Sequence, residues 1–261
     1  MSLNMHNLLT HVQHPKSPKG YQAEEDSDAI RVSEYWGKKT NQIQSPKISF
    51  EFFPPRSDTA KKSLKETHLK LSSINPEHYS VTFGALGTSQ DATFDTIVNL
   101  SKDTEIPITP HLTCVDTNKK QVTELIDKYI SHGVNQVMVL KGDTPSKPLH
   151  KGDFEYANEM VKFIKEHYDN IDILVAAYPE KHPHSMNIRT DIDFFVDKVN
   201  SGATQAITQY FYNIDAYFHY IDELQKRNID IPITPGIMPI TNYEQLINFS
   251  KTCGAEIPAW I

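Results

Sequence analysis

Several short β-prone runs end on a residue that could do chemistry. Glu51 lies in Ile48-Ser49-Phe50-Glu51-Phe52-Phe53-Pro54-Pro55. Strand alternation turns Ile48, Phe50 and Phe52 to one face and Ser49, Glu51 and Phe53 to the other. An acid turned inward among aromatic neighbours loses water, which raises its pKa and suits it to donate a proton near neutral pH. The same position would suit a structural Glu paired with Lys or Arg, since ion pairs also perturb pKa. Asp143 follows Lys141-Gly142, where a turn at glycine can present the carboxylate to a ligand, although Gly-Asp is a common turn in its own right. His111, in Thr109-Pro110-His111-Leu112-Thr113-Cys114, could carry protons, touch a ligand or pack as a core imidazole. Gln209 ends Ala206-Ile207-Thr208, and its amide can donate and accept at once, as a heterocycle edge requires. The aromatic residues behind it, Phe211 above all, suit packing. His182-Pro183-His184 has poor spacing for zinc, and no Cys or carboxylate cluster completes a set, so no metal is expected. That loop better suits contacts to phosphate or ribose.

These residues recur with a period. Glu51, Thr82, His111, Asp143, Tyr178, Gln209 and Gly236 follow one another at intervals of 31, 29, 32, 35, 31 and 27 residues. Each interval is the length of a βα unit. Strands are expected over 48–53, 78–83, 106–112, 136–140, 171–176, 205–211 and 231–237. Amphipathic helices are expected over 59–72, 118–132, 156–167, 191–200, 214–227 and 243–251, on repeats such as Val122, Leu125, Ile126 and Tyr129. Asp58, Thr117, Thr190 and Asn213 read as helix caps, and Gly133 and Gly202 as helix stops. Alternating units imply a parallel sheet covered by helices. Seven of them fit an α/β fold of the (β/α)8 TIM-barrel type lacking its last βα unit. In such a barrel the reactive groups gather at the C-terminal ends of the strands. No Gly-rich phosphate loop follows the first strand, which weakens the dinucleotide-fold and P-loop alternatives.

The bulk properties exclude other classes. The chain has 261 residues and a formal charge of −7, with both signs mixed throughout, so nucleic acid is not an expected partner. No apolar run approaches the roughly 18 residues that span a bilayer. Cys114 and Cys253 lack disulfide-framework or metal spacing, which suits a reducing, cytoplasmic setting. Residues 1–46 read as a polar N-terminal extension with a short helical pattern around 26–36, and residues 47–261 as the barrel domain.

With these segments set out, the chain resembles the methylenetetrahydrofolate reductase family. The likeness rests on Ile48–Arg56, Ser80-Val81-Thr82-Phe83-Gly84-Ala85, Pro110–Cys114, Ala176-Ala177-Tyr178-Pro179-Glu180-Lys181-His182-Pro183, Ala206–Phe211, Thr234–Pro239 and Ile257-Pro258-Ala259-Trp260. It covers about residues 47–261 in order. The resemblance implies noncovalent FAD, reduced by NADH or NADPH. In a ping-pong cycle 5,10-methylenetetrahydrofolate then enters the same face and leaves as 5-methyltetrahydrofolate, which supplies methyl groups for methionine synthesis. It implies a homo-oligomer. It makes Glu51 the acid that helps open the folate's methylene bridge, and Asp143 a carboxylate near flavin and pterin. Gln209 becomes a pterin-edge contact and Phe249 a helix aromatic against the substrate. Thr82, His111, Lys141, Gly142, Asp143, Ala176, Tyr178, His182, Asp191 and Lys198 fall at FAD-contact positions. Two departures stand out. Lys141 replaces the usual Arg, keeping the charge but losing the planar fork. The family continues for about one more βα unit, with a His-Phe-Tyr-Thr-like strand, and a barrel left open would expose strand edges. A truncated, non-catalytic remnant of the fold and a different flavin barrel of proline-dehydrogenase type are the alternatives.

Overall fold

A computed structural model describes residues 46–83, 90–143 and 152–261. The extension read at 1–46, with its helical pattern at 26–36, lies outside the described residues apart from Pro46, as does Gly84-Ala85. Within the unit Lys47–Ile261, strands and helices alternate strictly. The order is β1 (Phe50–Phe52), α1 (Asp58–Ser72), β2 (Tyr79–Val81), α2 (Gln90–Ser101), β3 (Ile108–Thr113), α3 (Lys119–Ile130), β4 (Gln136–Leu140), α4 (Ala157–His167), β5 (Asp172–Ala177), α5 (Ile188–Asn200), β6 (Gln205–Thr208), α6 (Ile214–Gln225), β7 (Ile233–Thr234) and α7 (Tyr243–Cys253). The strands form one sheet in the order β1 to β7, and every pairing is parallel. This is the expected seven-unit barrel sheet. Among the described residues there is no eighth strand, and β1 and β7 are its edges.

Alternation along each strand separates two environments. Val137 and Val139, Ile173 and Val175, and Ala206 join the core beneath the helices, with Ile126, Ile164, Ile192 and Leu224 from the helical side. The residues between them turn to the concave face. There the register sets Glu51 beside Ser80 and Ser80 beside Thr109. One layer nearer the rim it sets His111 beside Met138 and Met138 beside Leu174. Thr109 Oγ1 donates to Gln136 Oε1 at 2.7 Å. The concave face is therefore polar on β1 to β3 and more apolar on β4 and β5.

The helix ends differ from expectation by up to one turn. Asn118, not Thr117, caps α3 and forms a reciprocal box with Gln121. Thr117 Oγ1 instead bonds the Val115 carbonyl. Asn187, not Thr190, caps α5, accepting from the Thr190 amide, so this helix starts at Ile188 rather than Asp191. Ser57, not Asp58, caps α1. Asn213 caps α6 as expected. Gly133 and Gly202 take φ of 80° and 117° just past their helices. Helix α2 escapes the periodicity reading because Thr93 and Thr96 interrupt its buried Phe94, Ile97 and Leu100, and threonine favours helices weakly. Strands β1, β2, β6 and β7 are shorter than expected.

Gly236, just beyond β7, has an ordinary φ but no room for a side chain. A Cβ there would lie 2.3 Å from the Thr208 carbonyl oxygen, while the Gly236 amide donates to Thr208 Oγ1 at 2.9 Å. The obstruction is backbone, which cannot rotate away. Gly236→Ala should pry β7 from β6 and cost about 1–3 kcal/mol, as overpacking does. A urea unfolding midpoint equal to wild type would refute this.

Candidate active site at the strand ends

The concave face of β1 supplies the first group. Phe52 packs on His68 of α1 and on Tyr79 of β2, with ring centroids at 6.5 and 5.2 Å. That anchors the outer face and leaves Glu51 pointing the other way, as strand phase requires. Phe50 and Phe52 therefore lie on the opposite face, and the group beside Glu51 is His111, with Nε2 at 3.6 Å from Oε2. The Glu51 side chain keeps 49% of its surface. Even so, the protein around it displaces enough water to hold its carboxyl above the ordinary value.

His111 is 3% exposed. Burial, reinforced by nearby His78, pushes its imidazole down to about 4, so the ring is neutral at pH 7. The contact with Glu51 is then not an ion pair despite its distance. Among the described residues, Nε2 of His111 has no hydrogen-bond partner, and neither does Nε2 of His78. Two unsatisfied imidazole nitrogens thus lie within the β2–β3 wall. Thr82, one residue past β2, donates its amide to the Phe52 carbonyl at 2.9 Å and accepts from Thr93 Oγ1.

The end of β4 depends on a glycine. Gly142 has φ of 82°, and a Cβ there would meet Thr113 Cβ at 2.9 Å. This turn leaves Asp143 exposed. Lys141 holds its ammonium 4.7 Å from the centre of the Tyr156 ring, and its carbonyl accepts from the Cys114 and Val115 amides.

The end of β5 and helix α5 form a compact group. Lys198 donates to the Ala176 carbonyl and lies 5.9 Å from the centre of the Tyr178 ring. Tyr178 meets His182 edge-on at 4.7 Å. Asp191, 7% exposed, accepts from the His182 amide at 3.1 Å and from Ser185 Oγ at 2.6 Å. Residues 191 and 198 are two helical turns apart, so they share a face of α5. Burial pushes Lys198 down to about 8, partly offset by attraction to Asp191. It pushes Tyr178 up to about 12, with Asp191, Cys253 and Asp143 adding to the effect. The electrostatic reach of Asp143 to Tyr178 ties the β4 and β5 ends into one region. His182 Nδ1 accepts the His184 amide at 3.1 Å.

Just past β6, Gln209 is less open than expected, because its Oε1 turns back to accept the Tyr210 amide at 3.0 Å. Phe211 stacks on Tyr217 of α6 at 5.3 Å and packs against the core. Phe249 of α7, 43% exposed, stacks on Tyr210 at 5.9 Å. Tyr178, Glu180, Gln209, Tyr210 and Cys253 line a small, shallow cleft. Glu51 and His111 stand outside this cleft, on the concave face of β1 and β3.

The structure thus gathers Ala176, Tyr178, His182, Asp191 and Lys198 in one group, Glu51 with His111 in a second, and Gln209 with Phe249 around Tyr210 in a third. Glu180, Tyr210 and Cys253 line the same region without having been singled out from sequence. Glu180 lay inside a motif that could have flagged it. Tyr210 looked like packing because it stands in an aromatic run. Among the described residues no group of three or more His, Cys, Asp or Glu could hold a metal, and no helix is long and apolar enough to cross a membrane. Both cysteines are free thiols.

Fold and site together define a parallel α/β barrel-type protein with ionisable groups collected at its strand ends. A solved structure titled a phosphonopyruvate hydrolase complex with oxalate and Mg++ shares this fold at a TM-score of 0.53 and 9% identity, over 79% of this chain and 73% of that one. The family described as methylenetetrahydrofolate reductase matches residues 38–261, and the chain belongs to that family. Among its relatives, the 5,10-methylenetetrahydrofolate reductase of Buchnera aphidicola subsp. Schizaphis graminum is 41% identical, over 82% of this chain and 72% of its own. The Escherichia coli K12 protein of that name is 36% identical, over 82% and 71%. Methylenetetrahydrofolate reductase (NADH) 1 of Arabidopsis thaliana is 31% identical, over 81% and 38%.

Proposed function

We propose that this protein reduces 5,10-methylenetetrahydrofolate to 5-methyltetrahydrofolate, using bound FAD recharged by NADH or NADPH in alternation with the folate, and so feeds methyl groups toward methionine. The observation that carries this reading is Glu51: a carboxyl of raised pKa on the concave face, beside a neutral imidazole, in a chain of this family. The same residues could serve a flavin. His111 Nε2 is a buried polar atom with no hydrogen-bond partner among the described residues. Gly142 makes the positive-φ turn that a side chain, blocked by Thr113, would not allow. Lys198 is a half-buried cation of lowered pKa, a state that an anionic ligand relieves. Thr82, Lys141, Asp143, Ala176, Tyr178, His182 and Asp191 complete the set that would hold it. When bound, the flavin supplies the hydride chemistry, and the protein supplies placement and electrostatics.

The residues themselves have two tasks. Glu51 keeps its proton further up the pH scale than an ordinary carboxyl and can deliver it to a folate nitrogen as the methylene bridge opens. Gln209 and Phe249, on either side of Tyr210, would hold the pterin edge and face. Asp143 adds negative charge on the side of Tyr178.

The deciding experiment is an absorption spectrum of the purified full chain, followed by the two half-reactions. Yellow protein that oxidises a reduced nicotinamide with menadione, and then reduces the folate, supports the reading. Colourless protein that cannot be reconstituted with FAD overturns it. Lys198→Met should weaken FAD binding about 10- to 100-fold, the worth of a charged hydrogen bond. Flavin fluorescence titration measures this, and unchanged affinity would remove Lys198 from the cofactor set.

A further inference from the structure

The loop between β5 and α5 and the end of α7 are joined by contacts that the proposed reaction does not use. Glu180 Oε2 accepts the Glu256 backbone N–H at 2.8 Å, across 76 residues of sequence. Gly254 ends α7 in a left-handed conformation, φ 73°. A Cβ there would lie 2.8 Å from Pro183 Cγ, so this close seating on the loop requires glycine. The loop is also braced from within. Lys181, at φ 89°, donates its ammonium to the His182 and Ser185 carbonyls at 3.1 and 2.9 Å. On the helix side, buried Ser250 meets the Tyr210 hydroxyl at 2.8 Å.

The two joined pieces carry different parts of the site. Tyr178 and His182 flank Glu180 on the loop. Phe249 lies one turn before Gly254 on the helix, stacked on Tyr210. We propose that Glu180 is a positioning residue: its bond to the Glu256 amide, with Gly254 seated on Pro183, sets the spacing between the loop bearing Tyr178 and His182 and the helix bearing Phe249. This rests on reading those residues as the cofactor and folate sides of one site. The second oxygen, Oε1, is buried with no hydrogen-bond partner among the described residues. Burial pushes the Glu180 carboxyl up, and the Glu256 amide pulls it back. A carboxyl kept in so costly a position, with one oxygen on a distant backbone amide, is explained by what that bond holds in place.

The test uses the full flavin-loaded chain with Glu180→Ala, Glu180→Gln and Gly254→Ala. Hydrogen–deuterium exchange over 254–258 should quicken about tenfold in the two alanine variants, matching the loss of a charged hydrogen bond, while β3 and β4 stay protected. KM for methylenetetrahydrofolate should rise by a similar factor, with kcat falling less. The glutamine variant keeps an acceptor and should stay near wild type in both readouts. Unchanged exchange over 254–258 in Glu180→Ala would overturn the proposal, as would loss of protection across the whole sheet or a glutamine variant as impaired as the alanine one. The exchange measurement needs no substrate. A wild-type protein that does not reduce folate would sink the functional reading and leave exchange to decide the joint.

Discussion

Glu51→Gln should lower the rate of folate reduction about 10²- to 10⁴-fold, the usual worth of a positioned general acid, while nicotinamide-driven reduction of menadione changes far less. Glutamine keeps the size and the hydrogen-bonding edge but has no proton to give. Under the proposed function the half-reactions would separate, because only the folate step would need a proton delivered to a leaving nitrogen. Glu51 can supply it because its carboxyl is raised by loss of water. His111, 3.6 Å away, is neutral at pH 7 and gives no counter-charge. Stopped-flow measurement of the two half-reactions decides the matter. Equal loss in both would contradict the acid role and point to damage at the cofactor side. The fall of the folate rate with rising pH, as Glu51 loses its proton, should also lie above the pH expected for an ordinary Glu, and it should vanish in the glutamine variant.

The second large effect is on stability in mild acid. His111 has a folded-state value of about 4, against roughly 6.5 for a free histidine. Between those values the unfolded chain binds a proton that the folded chain refuses. Stability is therefore full above about pH 6.5 and falls as the pH drops toward 4, by about 3 kcal/mol in all and about 2 kcal/mol by pH 5. His68 and His78, also lowered by burial, act in the same direction. Glu51 and Glu180, raised by burial, act in the opposite one, because the folded chain holds their protons more readily. His111→Gln removes one contribution from this sum. Urea unfolding at pH 7.5 and pH 5 should show the variant losing about 2 kcal/mol less than wild type over that interval. Parallel losses would show that the His111 imidazole is not held neutral in the fold.

Much of the site could be read along the chain because its logic is local. Side chains alternate along a strand whatever the strand pairs with, so Phe50 and Phe52 on one face put Glu51 on the other. The recurrence of about thirty residues counts βα units without knowing how they pack. Gly142 and Asp143 announce a turn and its exposed acid, and Asp191 and Lys198 share a helix face by spacing alone. Helix starts were less legible. Asn187 and Asn118 outcompete nearby threonines as caps, and which oxygen reaches a free amide depends on backbone angles that side-chain type does not specify. Gln209 was legible as a rim residue, but the turn of its oxygen onto the next amide was not.

The remaining features depend on the curvature of the sheet and on contacts between chain-distant segments. Glu51 and His111 stand 60 positions apart and meet only because the sheet bends β1 toward β3 over β2. The low value of His111 comes from burial, which no single strand creates. The bond between Glu180 and Glu256 closes a loop through two whole βα units, and the fit of Gly254 on Pro183 depends on where helix α7 lands. Residue order thus settled which groups face the concave side and at which strand end. Tertiary packing settled which of them touch, which lose water and, through that, which carry a proton at neutral pH.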